Sequence, residues 1–262
     1  MSFFSGVVFS KSLNMDTNLG AILPQDSRSW ESRSSEEGKK DKKPATLILL
    51  HGLTDNWAAW AYRTRLLSYA EKRCTAVIMP EVQRSFYQNM VNGEAYFTYI
   101  SEELPSLAAE LFNVSVVPED LMIAGLSMGG YGALRCGLSH PDRYRAVGAF
   151  SSAVDLKVFE GNIPERVETY GFDRVLRGIF GEKISIPPEA DLYWLAEKAC
   201  GVGTDLPFMM TCGTEDELCP DNEALYNDMM QRGFNVTLET WPGIHEWGFW
   251  DRSIEMFLER FA

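Results

Sequence analysis

Short apolar runs typical of buried strands alternate along most of the chain with amphipathic stretches typical of helices. The chain begins with two β-like segments, at about residues 6–13 and 18–23. Further strands are predicted at about residues 46–50, 76–79, 121–124, 146–150, 208–211 and 236–241. Helical patterns lie between the later runs, at about residues 57–72, 96–111, 131–139, 191–200 and 222–232, and in a closing segment through Phe257. Strands that alternate with helices are joined by crossovers and run parallel. We therefore expect an α/β fold whose mostly parallel central sheet carries helices on both faces.

One stretch interrupts this alternation. Between Asp155 and Glu189, glycine and proline are frequent among short helical fragments. Long connections in compact domains are usually lids or binding loops. A chain of 262 residues with 45% hydrophobic residues can bury one sizeable core. We therefore expect a single domain over residues 1–262, with a cap-like insertion at about residues 155–190.

The charge balance argues against several classes of partner. The chain has 37 acidic and 24 basic residues and a net charge of −13, which repels nucleic acid and anionic membranes. The basic cluster at residues 39–43 lies in a Ser-rich stretch, residues 26–44, that is typical of a solvated loop. No apolar run approaches the roughly 18 residues of a membrane span, and the first residues lack the basic region of a signal peptide. We expect no nucleic-acid or membrane partner and a cytoplasmic location, and the sequence leaves a homo-oligomer open.

The cysteines do not indicate a metal centre. The five of them are scattered along the chain and show no C-x-x-C spacing. Reduced thiols are therefore expected rather than a disulfide framework or a zinc site. We expect no metal and no cofactor.

A serine stands at the centre of the sequence Gly125-Leu-Ser127-Met-Gly129, directly after an apolar run and before a helical pattern. A G-x-S-x-G sequence at such a corner forms a tight turn that leaves the serine hydroxyl above the edge of the sheet. The turn needs very small residues two positions before and after the serine. The pattern predicts that Ser127 is a nucleophile.

A serine needs a base, and the base needs a carboxylate that orients it. Of the three histidines, only His245 lies in a loop between the last strand and the last helix, which is where an α/β hydrolase carries its base. The carboxylate is expected after a strand end between the other two residues in chain order. Asp216 follows the strand at 208–211 and is the preferred candidate, with Glu215 and Asp221 as alternatives.

The oxyanion of an acyl-transfer intermediate needs backbone donors. We expect these to be the N–H of Met128, directly after the nucleophile, and the N–H of Leu53, in the loop after the third strand. His51 in the same loop is expected to brace it. Trp57 and Trp247 are predicted to contact the substrate. The other candidates for the pocket wall are Leu53, Met128, Phe159, Ile163, Phe172 and Phe180.

Six groups of residues together resemble the esterase D group of α/β hydrolases, and within it the bacterial tributyrin esterases. They are His51–Leu53 with Asn56 and Trp60, Arg84–Tyr87, Glu103–Pro105, Gly125–Leu134, Cys212–Asp216 and Pro242–Asp251. The resemblance extends from about Val7 to the C-terminus. It implies the α/β-hydrolase fold, a triad of Ser127, Asp216 and His245, and an oxyanion hole at Leu53 and Met128, which agrees with the reasoning from the residues.

The expected function is that of a cofactor-free serine carboxylesterase that hydrolyses small short-chain acyl esters through an acyl-enzyme intermediate. The same group contains S-formylglutathione hydrolases and carbohydrate acetyl or feruloyl esterases, which stay open as alternatives. The glutathione enzymes typically carry a cysteine soon after His-Gly-Leu, whereas this chain has Thr54–Trp57 there. A hydrolase-fold binding protein without activity is disfavoured, because all the groups that catalysis requires are present.

Overall fold

The computed structural model describes residues 1–25, 43–160 and 171–262, and the strands of these residues form one eight-stranded sheet. The strands are β1 (Ser2–Ser10), β2 (Met15–Leu23), β3 (Thr46–Leu50), β4 (Ala76–Pro80), β5 (Leu121–Leu126), β6 (Ala146–Phe150), β7 (Phe208–Gly213) and β8 (Val236–Trp241). Their order across the sheet is β1-β2-β4-β3-β5-β6-β7-β8. Strands β3 to β8 are parallel, whereas β1 and β2 form an antiparallel hairpin at one edge. The predicted α/β-hydrolase fold, with a mostly parallel sheet, is confirmed.

The central strands are short apolar runs because both faces of the sheet are covered. Every residue of β3, β4, β5, β6 and β7 is buried. Side chains alternate between the two faces of a strand, so that Ile48 and Leu50 of β3 join the apolar cluster on one side and Leu47 and Leu49 join the cluster on the other. The two cores therefore share the sheet as their common wall.

Helices cover both faces of the sheet. They are α1 (Ala59–Arg63), α2 (Leu66–Arg73), α3 (Tyr96–Thr98, a π-helical turn at Tyr99–Glu103, and Leu104–Phe112), α4 (Met128–Ser139), α5 (Phe172–Phe180), α6 (Leu192–Ala199), α7 (Cys219–Gln231) and α8 (Trp247–Phe261). None of the helices in the described part of the chain is both long enough and apolar enough to cross a bilayer.

The helix predicted over residues 57–72 is instead two helices, α1 and α2. The break falls at Thr64, whose backbone is extended, with φ −134° and ψ 172°. Its hydroxyl donates to the carbonyl of Trp60 at 2.6 Å and accepts the N–H of Leu66 at 3.2 Å. A threonine side chain that bonds the nearby backbone competes with the helix, so this hydroxyl ends one helix and begins the next.

The prediction that a helix continues through Pro105 is confirmed, with a local change of winding. Pro105 has no N–H to donate to the carbonyl four residues earlier, which belongs to Ser101. Arg143 donates to that carbonyl at 2.6 Å instead. The π-helical turn at Tyr99–Glu103 lies directly before the proline, as expected where a helical hydrogen bond is missing.

The predicted cap region is described at residues 155–160 and 171–190. It contains helix α5 and short 3₁₀ turns at Lys157–Phe159 and Pro188–Ala190. Its end is attached to α4, because Tyr131 donates to the carbonyl of Ala190 at 2.6 Å and Arg135 donates to that of Glu189 at 3.0 Å. The predictions for Ile163 and for the basic loop at residues 26–42 lie outside the described residues.

Candidate active site

Ser127 occupies the predicted corner between β5 and α4. Its backbone has φ 53° and ψ −116°, a conformation that a residue with a side chain adopts only where its surroundings impose it. The Ser127 N–H donates to the carbonyl of Phe150 on β6 at 2.8 Å. Because the serine projects where β5 ends, its side chain remains partly exposed at the carboxyl edge of the sheet.

The two glycines of this corner are required by close backbone contacts. A Cβ atom on Gly125 would lie 2.4 Å from the carbonyl oxygen of Gly129. A Cβ atom on Gly129 would lie 2.5 Å from the carbonyl oxygen of Leu50. Neither contact can be relieved by turning a side chain, so the G-x-S-x-G sequence reflects steric necessity at both positions.

Asp216 and His245 form a hydrogen-bonded pair at the same edge of the sheet. Asp216 lies in the loop between β7 and α7, and His245 lies in the loop between β8 and α8. His245 Nδ1 is 2.8 Å from Asp216 Oδ2, with the Asp216 side chain 1% exposed and the His245 side chain 37% exposed. Of the three acidic candidates, the one in contact with His245 is therefore Asp216. Glu215 binds the backbone of Gly243 instead, and Asp221 lies in the first turn of α7.

The surroundings of Asp216 keep its carboxylate ionised. Burial by itself would raise the pKa of Asp216, but the hydrogen bonds from His245 and from the N–H of Leu218, at 3.0 Å, outweigh burial and lower it. A buried carboxylate that is charged and bound to Nδ1 orients the imidazole, leaves Nε2 to exchange protons, and stabilises the imidazolium.

The loop after β3 passes beside Ser127. A Cβ atom on Gly52 would lie 3.8 Å from the Ser127 Cβ and 2.8 Å from Asp55 Oδ2. Burial raises the pKa of Asp55, against the opposing charges of His51, Arg63 and His245. The loop after β3 therefore lies against the Ser127 corner, at the same edge of the sheet as His245. No hydrogen bond joins the Ser127 hydroxyl to His245 in the described part of the chain, and such bonds often tighten only when substrate is bound.

His51 braces the loop that carries the predicted oxyanion donor. It is 1% exposed, its Nδ1 is 2.8 Å from the carbonyl oxygen of Gly52, and its Nε2 is 3.2 Å from the N–H nitrogen of Val82. The Tyr87 hydroxyl donates to the His51 carbonyl at 2.8 Å. Leu53 follows in this loop and Met128 begins α4, where the first N–H groups have no partner within the helix. Their roles as oxyanion donors stay predictions.

A cluster of tryptophan rings lies beside His245, and the ring in contact with it was not predicted from the sequence. The Trp250 ring lies edge-on to the His245 ring at 4.8 Å. Trp247 packs edge-on against Trp250 at 5.3 Å and against Trp60 at 5.4 Å. The spacing Trp247-x-x-Trp250 on α8 is the signal that would have indicated the role of Trp250, since residues three apart share a helix face.

The other predicted pocket residues differ in what they pack against. Trp57 stacks on Phe3 at 6.4 Å and covers Gly20, so that its ring lies against the β1–β2 hairpin. Its contact with substrate stays a prediction. Phe172 and Phe180 are 4% and 7% exposed and belong to the core.

Asn222 is a further residue of the site that the sequence did not indicate. It is fully buried in α7, and its amide donates to the carbonyls of Ser152 and Leu218, both at 2.8 Å. It thus ties the loop after β6 to the loop that carries Asp216.

A cavity of about 420 Å³ opens beside His245 and is lined by Glu215, Asp216, Glu217, Leu218, Ile244 and His245.

Comparison with known proteins gives one family and several close relatives. The family model described as "Putative esterase" matches residues 10–260. An acetyl esterase of Caldicellulosiruptor saccharolyticus is 31% identical over 249 residues, which cover 94% of this chain and 92% of that protein. The fluorophosphonate-binding serine hydrolase F of Staphylococcus aureus has a TM-score of 0.84 at 28% identity, covering 99% of this chain and 98% of that one. An S-formylglutathione hydrolase of the same organism has a TM-score of 0.82 at 28% identity, with the same coverage.

Proposed function

The chain belongs to this esterase family, and from that premise we propose that it is a serine carboxylesterase that hydrolyses short-chain acyl esters through an acyl-enzyme intermediate. The observation that carries the proposal is the buried, ionised Asp216 bound to His245 at 2.8 Å, at the sheet edge where Ser127 projects. The relatives support the esterase D group of α/β hydrolases. We also propose that, within this group, the chain is most similar to the bacterial tributyrin esterases.

In the proposed reaction, Ser127 Oγ attacks the ester carbonyl while His245 accepts its proton. The backbone N–H groups of Leu53 and Met128 stabilise the oxyanion that forms. His245 then donates the proton to the departing alcohol, and Asp216 stabilises the imidazolium between these steps. Water attacks the acyl-Ser127 ester with His245 again as the base, which releases the carboxylic acid and restores the serine.

The proposed preference is for acyl groups of two to four carbons. The acetyl esterase relative supports acetate as a substrate. Each buried methylene contributes about 0.8 kcal/mol, so rates should rise from acetate towards butyrate until the acyl chain meets the bulky wall that includes Trp247. Hydrolysis of p-nitrophenyl esters of two to twelve carbons tests this. A rate that keeps rising to twelve carbons would indicate an open, lipase-like groove and contradict the proposal.

S-formylglutathione hydrolysis is the second candidate, because a structural relative of 28% identity carries that name. The oxyanion loop argues against it, since Thr54–Trp57 contains no cysteine. S-formylglutathione and acetylated xylo-oligosaccharides should therefore be compared with p-nitrophenyl acetate at equal concentration. A kcat/KM for the thioester at least tenfold above that for the acetate would reassign the substrate class.

Three broader expectations belong to the same proposal. We propose one domain over residues 1–262, in which the segment at about residues 155–190 forms a wall of the pocket. Its attachment to α4 through Tyr131 and Arg135 supports this place beside the nucleophile. The cytoplasmic location and a homo-oligomeric state stay predictions that fractionation and light scattering would test.

A further inference from the structure

Glu215 joins the two loops that carry Asp216 and His245. Its backbone N–H donates to the carbonyl of Gly243 at 3.0 Å, and its carboxylate Oε2 accepts the N–H of Gly243 at 2.6 Å. The Thr214 hydroxyl is 3.0 Å from the other carboxylate oxygen, Oε1, and donates to it. One residue therefore binds both backbone polar groups of Gly243.

These contacts extend the pairing of β7 with β8 beyond the strands themselves. The Thr214 N–H donates to the carbonyl of Trp241 at 3.0 Å. A Cβ atom on Gly213 would lie 2.2 Å from the carbonyl oxygen of Gly243, so the two backbones are in direct contact. Asp216 follows Glu215 by one residue and His245 follows Gly243 by two, which places the Glu215 contacts next to the bond between the acid and the base.

Much of the loop that carries His245 is open to solvent. Pro242, Ile244 and Glu246 are all exposed to solvent. The position of the imidazole then depends on the hydrogen bonds of the loop backbone, on the packing of Gly243 against Phe249, and on the packing of the ring against Trp250. A displacement of about 1 Å in a catalytic group can lower the rate about a hundredfold.

We infer that Glu215 is a positioning residue for ester hydrolysis: its carboxylate holds Gly243, and through it the His245 ring, at hydrogen-bonding distance from Asp216. This inference rests on the proposed function. This role requires an acceptor oxygen as far from the backbone as a glutamate side chain places it. It does not require the negative charge of the carboxylate.

Three variants of Glu215 separate the effect of side-chain length, or reach, from the effect of charge. Glu215→Gln keeps an oxygen at the same reach without the charge, Glu215→Asp keeps the charge but shortens the reach by one methylene, and Glu215→Ala removes both. We expect kcat for p-nitrophenyl acetate to fall about tenfold in the Asp and Ala variants and to stay within about threefold of wild type in the Gln variant. KM should change less than twofold in all three. Glu119→Ala, an exposed position before β5 at the opposite edge of the sheet, is the control for loss of one carboxylate.

Several outcomes would overturn the inference. Equal loss in the Gln and Ala variants would show that charge matters rather than reach, and an Asp variant as active as wild type would show the same. A change confined to KM would mean that Glu215 contacts substrate. Thermal unfolding of each variant identifies a loss of fold, and the Gln and Asp variants decide the matter if the Ala variant does not fold. A wild-type protein that hydrolyses none of the esters would instead contradict the proposed function itself.

Discussion

Ser127 combines a strained backbone with partial exposure to solvent, whereas its predicted partners, Asp216 and His245, differ sharply in exposure. Asp216 is buried and charged, and His245 stands at the surface with one ring nitrogen bound to that carboxylate. In the proposed reaction this difference suits a proton relay, because hydrogen bonds hold the buried charge while the imidazole exchanges protons with the serine and the leaving group.

Removal of Ser127 or His245 should abolish hydrolysis with the fold intact. Members of such a triad act as a unit, so Ser127→Ala and His245→Ala should each lower kcat by about a millionfold. Steady-state kinetics with p-nitrophenyl acetate measures the loss, and circular dichroism checks the fold. Easily measured turnover in purified Ser127→Ala would disprove the assignment of the nucleophile.

The three acidic candidates should differ strongly in their effect. Asp216→Asn should lower kcat by about ten-thousandfold, because an amide at this position favours the wrong tautomer of the base. Asp221→Asn and Glu215→Gln should stay within about threefold of wild type, since Glu215 binds the backbone of Gly243 and Asp221 lies in the first turn of α7. The kcat values of the three variants show which carboxylate acts with His245. If Asp221→Asn lowered kcat the most, the acid would be misassigned.

At the scale of elements, the turn between β5 and α4 is held by backbone packing against β3. Gly129 contacts the carbonyls of Leu50 and His51, so that the start of α4 lies directly on the end of β3. The same contact brings the loop after β3, with Leu53, close to Ser127. Tight packing of β3, β5 and α4 thus brings the predicted nucleophile and the predicted oxyanion hole together.

Gly129→Ala should destabilise the protein, whereas Gly6→Ala should not. The added Cβ at Gly129 would lie 2.5 Å and 2.8 Å from two backbone carbonyl oxygens, and at Gly6 it would meet nothing within 4 Å. Overpacking costs about 1–3 kcal/mol, and alanine in a strand is favoured over glycine by about 0.5–1 kcal/mol. Urea unfolding of both variants measures the difference. Equal stability of the two variants would contradict the close contact at Gly129.

At the scale of the whole molecule, carboxylates link elements that are distant in sequence. Glu103 on α3 accepts hydrogen bonds from the Ser10 hydroxyl at 2.8 Å and from the N–H groups of Lys11 and Ser12 at 2.7 Å and 2.9 Å. These bonds tie the β1–β2 turn to the middle of α3. Burial by itself would raise the pKa values of Glu81, Asp251 and Asp216. Hydrogen bonds outweigh this effect and lower all three.

Glu103 should stabilise the protein at neutral pH and lose that effect in acid. Burial by itself would raise the pKa of Glu103, but the hydroxyl and N–H of Ser12 together with Lys11 and Ser10 lower it below the ordinary value. A carboxylate with a lower pKa when folded stabilises the native state above its unfolded pKa, about 4.3, and loses the effect as pH falls through the folded value. Wild type should therefore be more stable than Glu103→Gln by about 1 kcal/mol at pH 7, with the difference shrinking below pH 4.

Urea unfolding at a series of pH values checks this prediction. Glu110→Gln, on an exposed part of α3, is the matched control. A gap between wild type and Glu103→Gln that stays constant from pH 7 to pH 3 would mean that the Glu103 charge has no part in the stability.

The sequence alone determined the order of strands and helices, the corner at Ser127 and the family resemblance. These features are local: a buried strand needs a short apolar run, and a tight corner needs glycine two residues before and after the serine. The break at Thr64 was missed, because a hydroxyl that bonds the backbone of nearby residues, here Trp60 and Leu66, leaves the hydrophobic pattern unchanged.

Only the tertiary structure decided which side chains meet. The sequence placed Glu215, Asp216 and Asp221 within seven residues of one another, and nothing in their order shows that Asp216 contacts His245 while Glu215 binds Gly243. The two carbonyls that Asn222 joins were equally invisible in the chain, and the spacing Trp247-x-x-Trp250 gave a shared helix face for Trp250 but not its contact with His245. Hydrogen bonds depend on differences of a few tenths of an ångström, and these are set by how β7 and β8 pair and how their loops pack, which involves residues far apart in sequence.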